Sequence, residues 1–305
     1  MEIPEEIIRN RYFGCLAGLV AGNALGIPVE GFKKQFIVSK YGVLRDFDIR
    51  PFGRGHFTDD DSEMALAIAE SYMDRETCDL YDITKRFVRW MEEDGKGIGI
   101  STREVLMMIS SGMDPIEASR LFWENSGQYL SGNGALMRCA PTALARLNNP
   151  DLLIEETRSI GQITHFAPRS VDSCVFLNTL IAGLIKGEKG DILCSLSCVE
   201  NEEVIETVGK SIKALKDELG VSGYVLDTLG VAVWIYTHSD NFENGVIEAV
   251  NLGGDTDTNG AVVGAILGAK YGVDAIPRRW LDELSDLDRI KNASDGLFKL
   301  AFANQ

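Results

Sequence analysis

The chain of 305 residues carries 46 acidic against 30 basic side chains, a formal net charge of -16. A mean field of that sign repels phosphate, which argues against non-specific nucleic-acid binding and against adhesion to anionic membranes. With 45% hydrophobic and 25% charged residues, the composition is that of an ordinary globular chain able to build a sizeable core.

The start, MEIPEEIIRN, has neither a basic n-region nor a long apolar core, so no signal peptide is read and a cytoplasmic location is expected. Next comes FGCLAGLVAG, in which Gly14, Gly18, Gly22 and Gly26 fall every fourth residue. The pattern returns near the other end at Gly260, Gly264, Gly268 and Gly272. Both stretches are apolar, but Asn23 and Lys270 interrupt them short of the roughly 20 residues a membrane span requires. Glycine costs a helix interior about 1 kcal/mol relative to Ala, so a stripe of it needs compensation. The expected compensation is a pair of central helices whose backbones nearly touch.

After that first stretch, 35–43 alternates weakly and is the one strand candidate. FTDDDSEMALAIA (57–69) then places Thr58, Asp59, Asp60 and Asp61 at the head of an amphipathic helix. Apolar spacings of three and four predict helices at Asp61–Asp74, Leu80–Glu93, Ser101–Ser110, Pro115–Asn125, Pro168–Lys186, Glu203–Leu219, Val225–Thr237 and Leu287–Ala303. Loops are short, with no low-complexity linker, so one all-helical domain over residues 1–305 is the expected organisation. Cys15, Cys78, Cys139, Cys174, Cys194 and Cys198 lack the partners of a zinc site and read as reduced thiols.

Between the helices lie three polar segments. SGNGALMR (131–138) is a Gly-rich turn leading into a helix, whose N–H groups suit a phosphate. THFAPRS (164–170) carries His165 before a Pro-initiated helix; a lone His is more often a structural hydrogen-bonder, and His56 and His238 are weaker candidates still. GGDTDTNG (253–260) holds Asp255 and Asp257 one residue apart, with Thr258 beside them. Helix capping accounts for that last cluster as well as metal binding does. An EF-hand does not, because its twelfth position would be Ile266. Paired with the first acidic block, however, the cluster makes an oxygen-only donor set suited to Mg²⁺, Mn²⁺ or Ca²⁺.

In this order the blocks GCLAGLVAGNALGIPVEG, FTDDDSEMALA, GIGIST, SGNGALMR, THFAPRS, SGYVLDTLGVAVW and NLGGDTDTNGAVVGAILGAKYG resemble the ADP-ribosylglycohydrolase family over nearly the whole chain. The resemblance implies a compact orthogonal multi-helix bundle with two divalent cations, Mg²⁺ or Mn²⁺, in a central cleft. It implies Thr58, Asp59, Asp60, Asp255, Asp257 and Thr258 as metal ligands, the aspartates also orienting or deprotonating water. Glu30, in GIPVEG, becomes the candidate gate or general acid/base. Gly99 and the turn of Ser131, Gly132, Asn133 and Gly134 are implied as substrate contacts, and His165 as a contact to the distal ribose or phosphate.

The reaction implied is hydrolysis of the N- or O-glycosidic bond joining ADP-ribose to a protein side chain. Hydrolysis of a related small ADP-ribosyl or nucleoside compound, and silent ADP-ribose binding, are the alternatives. One position departs from the family pattern: arginine-directed relatives carry Asp where this chain has Gly97. Either Asp94 or Glu93 then substitutes, or the acceptor is not arginine.

Overall fold

Eight glycines decide the centre of the molecule. The computed structural model describes residues 3–48, 58–188 and 191–303, so His56 and Phe57 lie outside the described residues. Sixteen α-helices and no strand form among the described residues, as the all-α reading expects. The first half contains α1 (Glu5–Gly26), α2 (Lys34–Tyr41), α3 (Asp60–Arg75), α4 (Leu80–Glu93), α5 (Ile100–Ser110), α6 (Pro115–Asn125), α7 (Ala140–Ala145) and α8 (Pro150–Gln162). The second contains α9 (Pro168–Ile185), α10 (Ile192–Leu196), α11 (Glu202–Ser211), α12 (Val225–His238), α13 (Phe242–Val250), α14 (Thr256–Tyr271), α15 (Arg278–Leu281) and α16 (Leu287–Phe302).

Helices α1 and α14 pack antiparallel through the glycine stripes. A Cβ on Gly18 would fall on the carbonyl oxygen of Gly264, one on Gly22 on that of Gly260, and one on Gly268 on that of Gly14. The register brings the end of α1 against the start of α14, where Thr256 Oγ1 donates to the Gly26 carbonyl over 2.9 Å. Glu30, four residues beyond α1, is thereby delivered to the acidic N-terminus of α14. Two backbone bonds, Gly31 to Gly254 and Gly254 to Phe32, each 2.8 Å, fasten it there. The Glu5–Val29 stretch is long and apolar enough to cross a membrane, but 94% of its most apolar window is buried within the fold, so here it is a core helix. All six cysteines are free.

Residues 35–43 do not form a strand. They lie largely in α2, with Ile37 buried and Phe36 and Val38 exposed. Among the described residues no neighbouring strand exists to take their N–H groups, and a helix satisfies them within the segment. The helix expected over Glu203–Leu219 stops at Ser211, and a short 3₁₀ turn occupies Lys216–Glu218. Leu215, which extended the apparent apolar face, is 70% exposed. Helices α8 and α13 were not expected; Asn149 and Asn241 cap them by accepting from Leu152 and Asn244.

Candidate active site

Asp and Asn usually open helices by capping them, and Asp79, Asp114, Asn149, Asp191, Asn201 and Asn241 do so here. Asp59 and Asp255 hold the same N-cap position on α3 and α14, yet neither side chain caps its helix. Asp59 Oδ1 accepts instead from Asn23 Nδ2 at 2.7 Å, and Asp255 Oδ2 from Asn133 Nδ2 at 2.7 Å. Capping therefore does not explain the two acidic blocks. Both turn their carboxylates away from their own helices and toward a shared space.

Within that space Asp59, Asp61 and Asp257 each place a carboxylate oxygen within 4.8 Å of the others, and all three residues are buried. Burial pushes all three carboxyls up, with Glu30 adding at Asp59 and the neighbouring aspartates at Asp61 and Asp257: Asp59 to about 6, Asp61 and Asp257 well above the ordinary range. The Asn23 hydrogen bond and the Lys96 charge act against the rise at Asp59. Asp61 Oδ1 and Asp257 Oδ1 are buried without a hydrogen-bond partner, as are both amide atoms of Asn259 in the same turn of α14. Orphaned, mutually repelling oxygens without nitrogen or sulfur donors fit a hard divalent cation.

The expected ligands divide when seen in place. Asp59 and Asp257 are in the trio, with Asp255 beside it and close enough to raise Asp257. Asp61 was not in the expected ligand set, although it stands in the same acidic run; a helix start brings i and i+2 to one side when the first residue is still extended, as Asp59 is. Asp60 turns toward the 97–99 segment, where the Gly99 N–H supports it, and burial and Asp59 hold its carboxyl up at about 8. Thr58 offers its carbonyl to Lys96 Nζ at 3.2 Å. Thr258 is buried and lines the cavity next to Asp257.

That cavity, about 490 Å³, is lined by Glu30, Asp60, Asp255 and Asp257 and by the Ser131–Gly134 turn with His165. Gly99 and Tyr224 line it as well. Among the described residues no Lys or Arg lines it. Glu30 sits exposed at the mouth, its carboxyl raised by partial burial and then by Asp255.

The glycine turn is strapped in place: the Asn133 N–H bonds the Gly223 carbonyl at 3.1 Å, and the Val225 N–H bonds Ser131 at 3.0 Å. It does not lead straight into a helix, since α7 begins only at Ala140 and is six residues long. Any anion seat at the turn therefore rests on local donors rather than on a helix dipole. Among the described residues the N–H groups of Gly132 and Gly134 have no acceptor, and Ser131 Oγ is buried without a partner. His238 lies elsewhere, stacked on Trp234.

Gly97 adopts φ +80°, and a Cβ there would lie 2.7 Å from Asp60 Oδ1. Glu93 and Asp94 do not stand in for an acid at that position. They line a separate cleft with Arg86, Arg89 and Arg289, and Glu93 pairs with Arg89 at 2.8 Å. A third cleft, about 590 Å³, lies between α2 and residues 216–221; its Lys34 and Lys216 are paired with Asp217 and Glu248.

Comparison with known proteins agrees with this geometry. The ADP-ribosylglycohydrolase family model matches residues 4–305. ADP-ribosylarginine hydrolase Tri1 of Serratia proteamaculans is 32% identical over 98% of this chain and 82% of its own length. The ADP-ribosyl-[dinitrogen reductase] glycohydrolase of Rhodospirillum rubrum is 33% identical over 96% of this chain and 97% of its own. A solved structure described as an ADP-ribosylglycohydrolase-related protein complex superposes with TM-score 0.82 at 31% identity, covering 97% of this chain and all of the other.

Proposed function

We propose, from the premise that the chain belongs to the ADP-ribosylglycohydrolase family, that it releases ADP-ribose from arginine side chains of modified proteins with the help of divalent cations, Mg²⁺ or Mn²⁺. Hydrolysis of ADP-ribosyl glycosidic bonds is the family's activity. The observation that carries the reading is the buried trio Asp59, Asp61 and Asp257, of which Asp257 also lines the cavity bordered by the Ser131–Gly134 turn. The acidic residues suit cations, the turn an anionic diphosphate, and ADP-ribose linked through its distal ribose would reach both.

Neither Glu93 nor Asp94 supplies the acid missing at Gly97, so the guanidinium has to meet the cavity's own carboxylates, Glu30 and Asp60, and two features favour the arginine bond on that footing. The Serratia proteamaculans relative is named for ADP-ribosylarginine. The cavity also presents carboxylates and, among the described residues, no lining Lys or Arg, a field that stabilises a guanidinium.

Asp59, Asp61 and Asp257 would hold the cations, with Asp255 and Thr258 beside them. When bound, such cations supply charge that orients ribose hydroxyls and lowers the pKa of a water. The chain's own groups do the rest. The Asn23 and Asn133 amides keep Asp59 and Asp255 turned inward. Glu30 stands at the mouth, where a protein-linked side chain arrives, and its raised carboxyl suits delivery of a proton to the departing nitrogen. The cytoplasm, where no export is needed, is the proposed location.

The test compares arginine-linked with serine-linked ADP-ribosyl peptides. Release from the arginine peptide supports the reading. Release from the serine peptide alone overturns the acceptor, and cleavage only of free ADP-ribosyl compounds moves the substrate to small molecules.

A further inference from the structure

Arg138 is the most fully enclosed charged side chain near the cavity. It is 0% exposed, over the Phe87 ring at 4.7 Å, and among the described residues no carboxylate forms an ion pair with it, though the Asp60 charge reaches it. Its other recorded contact is a weak one, NH1 to Met64 Sδ at 3.6 Å. Burying a guanidinium this way is expensive, and structural packing alone is better served by an apolar chain. Its one good hydrogen bond runs from NH2 to Thr164 Oγ1 at 2.6 Å, and Thr164 Oγ1 lies 2.8 Å from His165 Nδ1.

The direction of that second bond follows from counting protons. Arginine has only donors, so Thr164 must accept from it. Thr164 is 2% exposed, and among the described residues its own hydroxyl proton has one acceptor, His165 Nδ1. Were Nδ1 protonated instead, the threonine proton would be buried without an acceptor. Nδ1 is therefore bare. His165 stays neutral, since burial, then the Arg138 charge, presses its pKa down to about 3. A neutral imidazole with a bare Nδ1 carries its proton on Nε2.

Nε2 faces the glycine turn. A Cβ at Gly132 would lie 3.2 Å from it and one at Gly134 3.1 Å, so both positions leave the ring room that any side chain would take. We propose that Arg138 and Thr164 are positioning residues that lock His165 in its Nε2–H tautomer, so that the ring donates across the Ser131–Gly134 turn to an anionic oxygen of the substrate's diphosphate. A cation kept out of the cavity thus sets the polarity of a neutral donor inside it. The ligand half of the inference rests on the ADP-ribose reading above; the proton placement does not.

The chain has three histidines, so ¹⁵N-histidine labelling with a His165→Gln control assigns the ring directly. The expected spectrum has a bare Nδ1 and a protonated Nε2 for His165, unchanged across about pH 5 to 8. In Thr164→Val the Nδ1–H form becomes populated and calorimetric ADP-ribose affinity falls about tenfold, whereas Thr164→Ser keeps both within about twofold. A wild-type ring protonated on Nδ1 overturns the relay, and this spectrum decides even if Thr164→Val fails to fold. A changed tautomer with unchanged affinity overturns the role at the substrate. Wild-type protein that binds no ADP-ribose overturns the hydrolase reading, while the ligand-free spectrum still decides the tautomer.

Discussion

Asn23 Nδ2 lies 2.7 Å from Asp59 Oδ1 and 3.2 Å from Asp61 Oδ2, while Asn23 Oδ1 accepts from Ser62 Oγ at 2.5 Å. The amide that interrupts the apolar first helix thus reaches two carboxylates of the trio and has its own orientation set by a hydroxyl. Asn23→Ala removes the donor without touching a ligand. Outer-shell partners of this kind are worth about 10- to 100-fold in metal affinity. Calorimetric Mn²⁺ titration should show a loss in that range; unchanged affinity would mean the amide serves packing only.

The raised carboxyls predict how the metal-free protein responds to pH. Asp59 at about 6 and Asp60 at about 8 lie above the unfolded value of about 4, so the folded state binds the extra protons. Their contribution is fully present below about pH 4 and is lost as pH rises through 6 and then 8. Surface carboxylates have finished titrating by about pH 5, so a window from there to about pH 8 isolates the buried groups. In chelator the Tm should fall across this window, and saturating Mn²⁺ should flatten or reverse the slope. A chelated protein equally stable at both ends would contradict the assigned crowding.

Gly264 packs on the α1 backbone, where a Cβ would meet the Gly18 carbonyl oxygen. Gly264→Ala has to part the two central helices, since backbone cannot rotate away as a side chain can. Overpacking costs about 1–3 kcal/mol, and the upper end is expected here. Denaturant midpoints measure it; a neutral or stabilising result, as expected for Gly→Ala in an ordinary helix, would show that the contact yields.

At Gly97 the substitution Gly97→Asp restores, in sequence alone, an arginine-directed pattern. With φ +80° and a Cβ 2.9 Å from Asp59 Cβ, the new side chain instead displaces both acids of the first block. Activity on every acceptor should drop by more than about tenfold. A variant that kept its rate and merely gained arginine preference would show that this loop relaxes.

Much of this was legible beforehand because spacing survives folding. Glycines every fourth residue named the central pair, and paired Asp-x-Asp blocks named two halves of the cluster. Other features depend on tertiary neighbours. The alternation across 35–43 looked like a strand until no second strand was there to pair with it. Capping and ligation place Asp at the same N-cap position, and only the direction of the Asp59 and Asp255 side chains separates them. Asp61 stands in the same run as Asp59 and Asp60, but which acids of a run converge depends on where the helix begins. Arg138 sits in the quoted SGNGALMR block, yet nothing in that string says its charge is wholly enclosed.

The dependence of arginine-linked ADP-ribose release on cations held by the Asp59, Asp61 and Asp257 carboxylates follows from the proposed function. Its most direct test is the rate of ADP-ribose release from an arginine-linked peptide by chelated protein, with Mg²⁺ or Mn²⁺ added back, for the wild type and Asp257→Asn. No release is expected in chelator, recovery in the wild type with added cation, and at least about 100-fold less in the variant while its helical circular dichroism persists. Full release in chelator, or full recovery by Asp257→Asn, would contradict it.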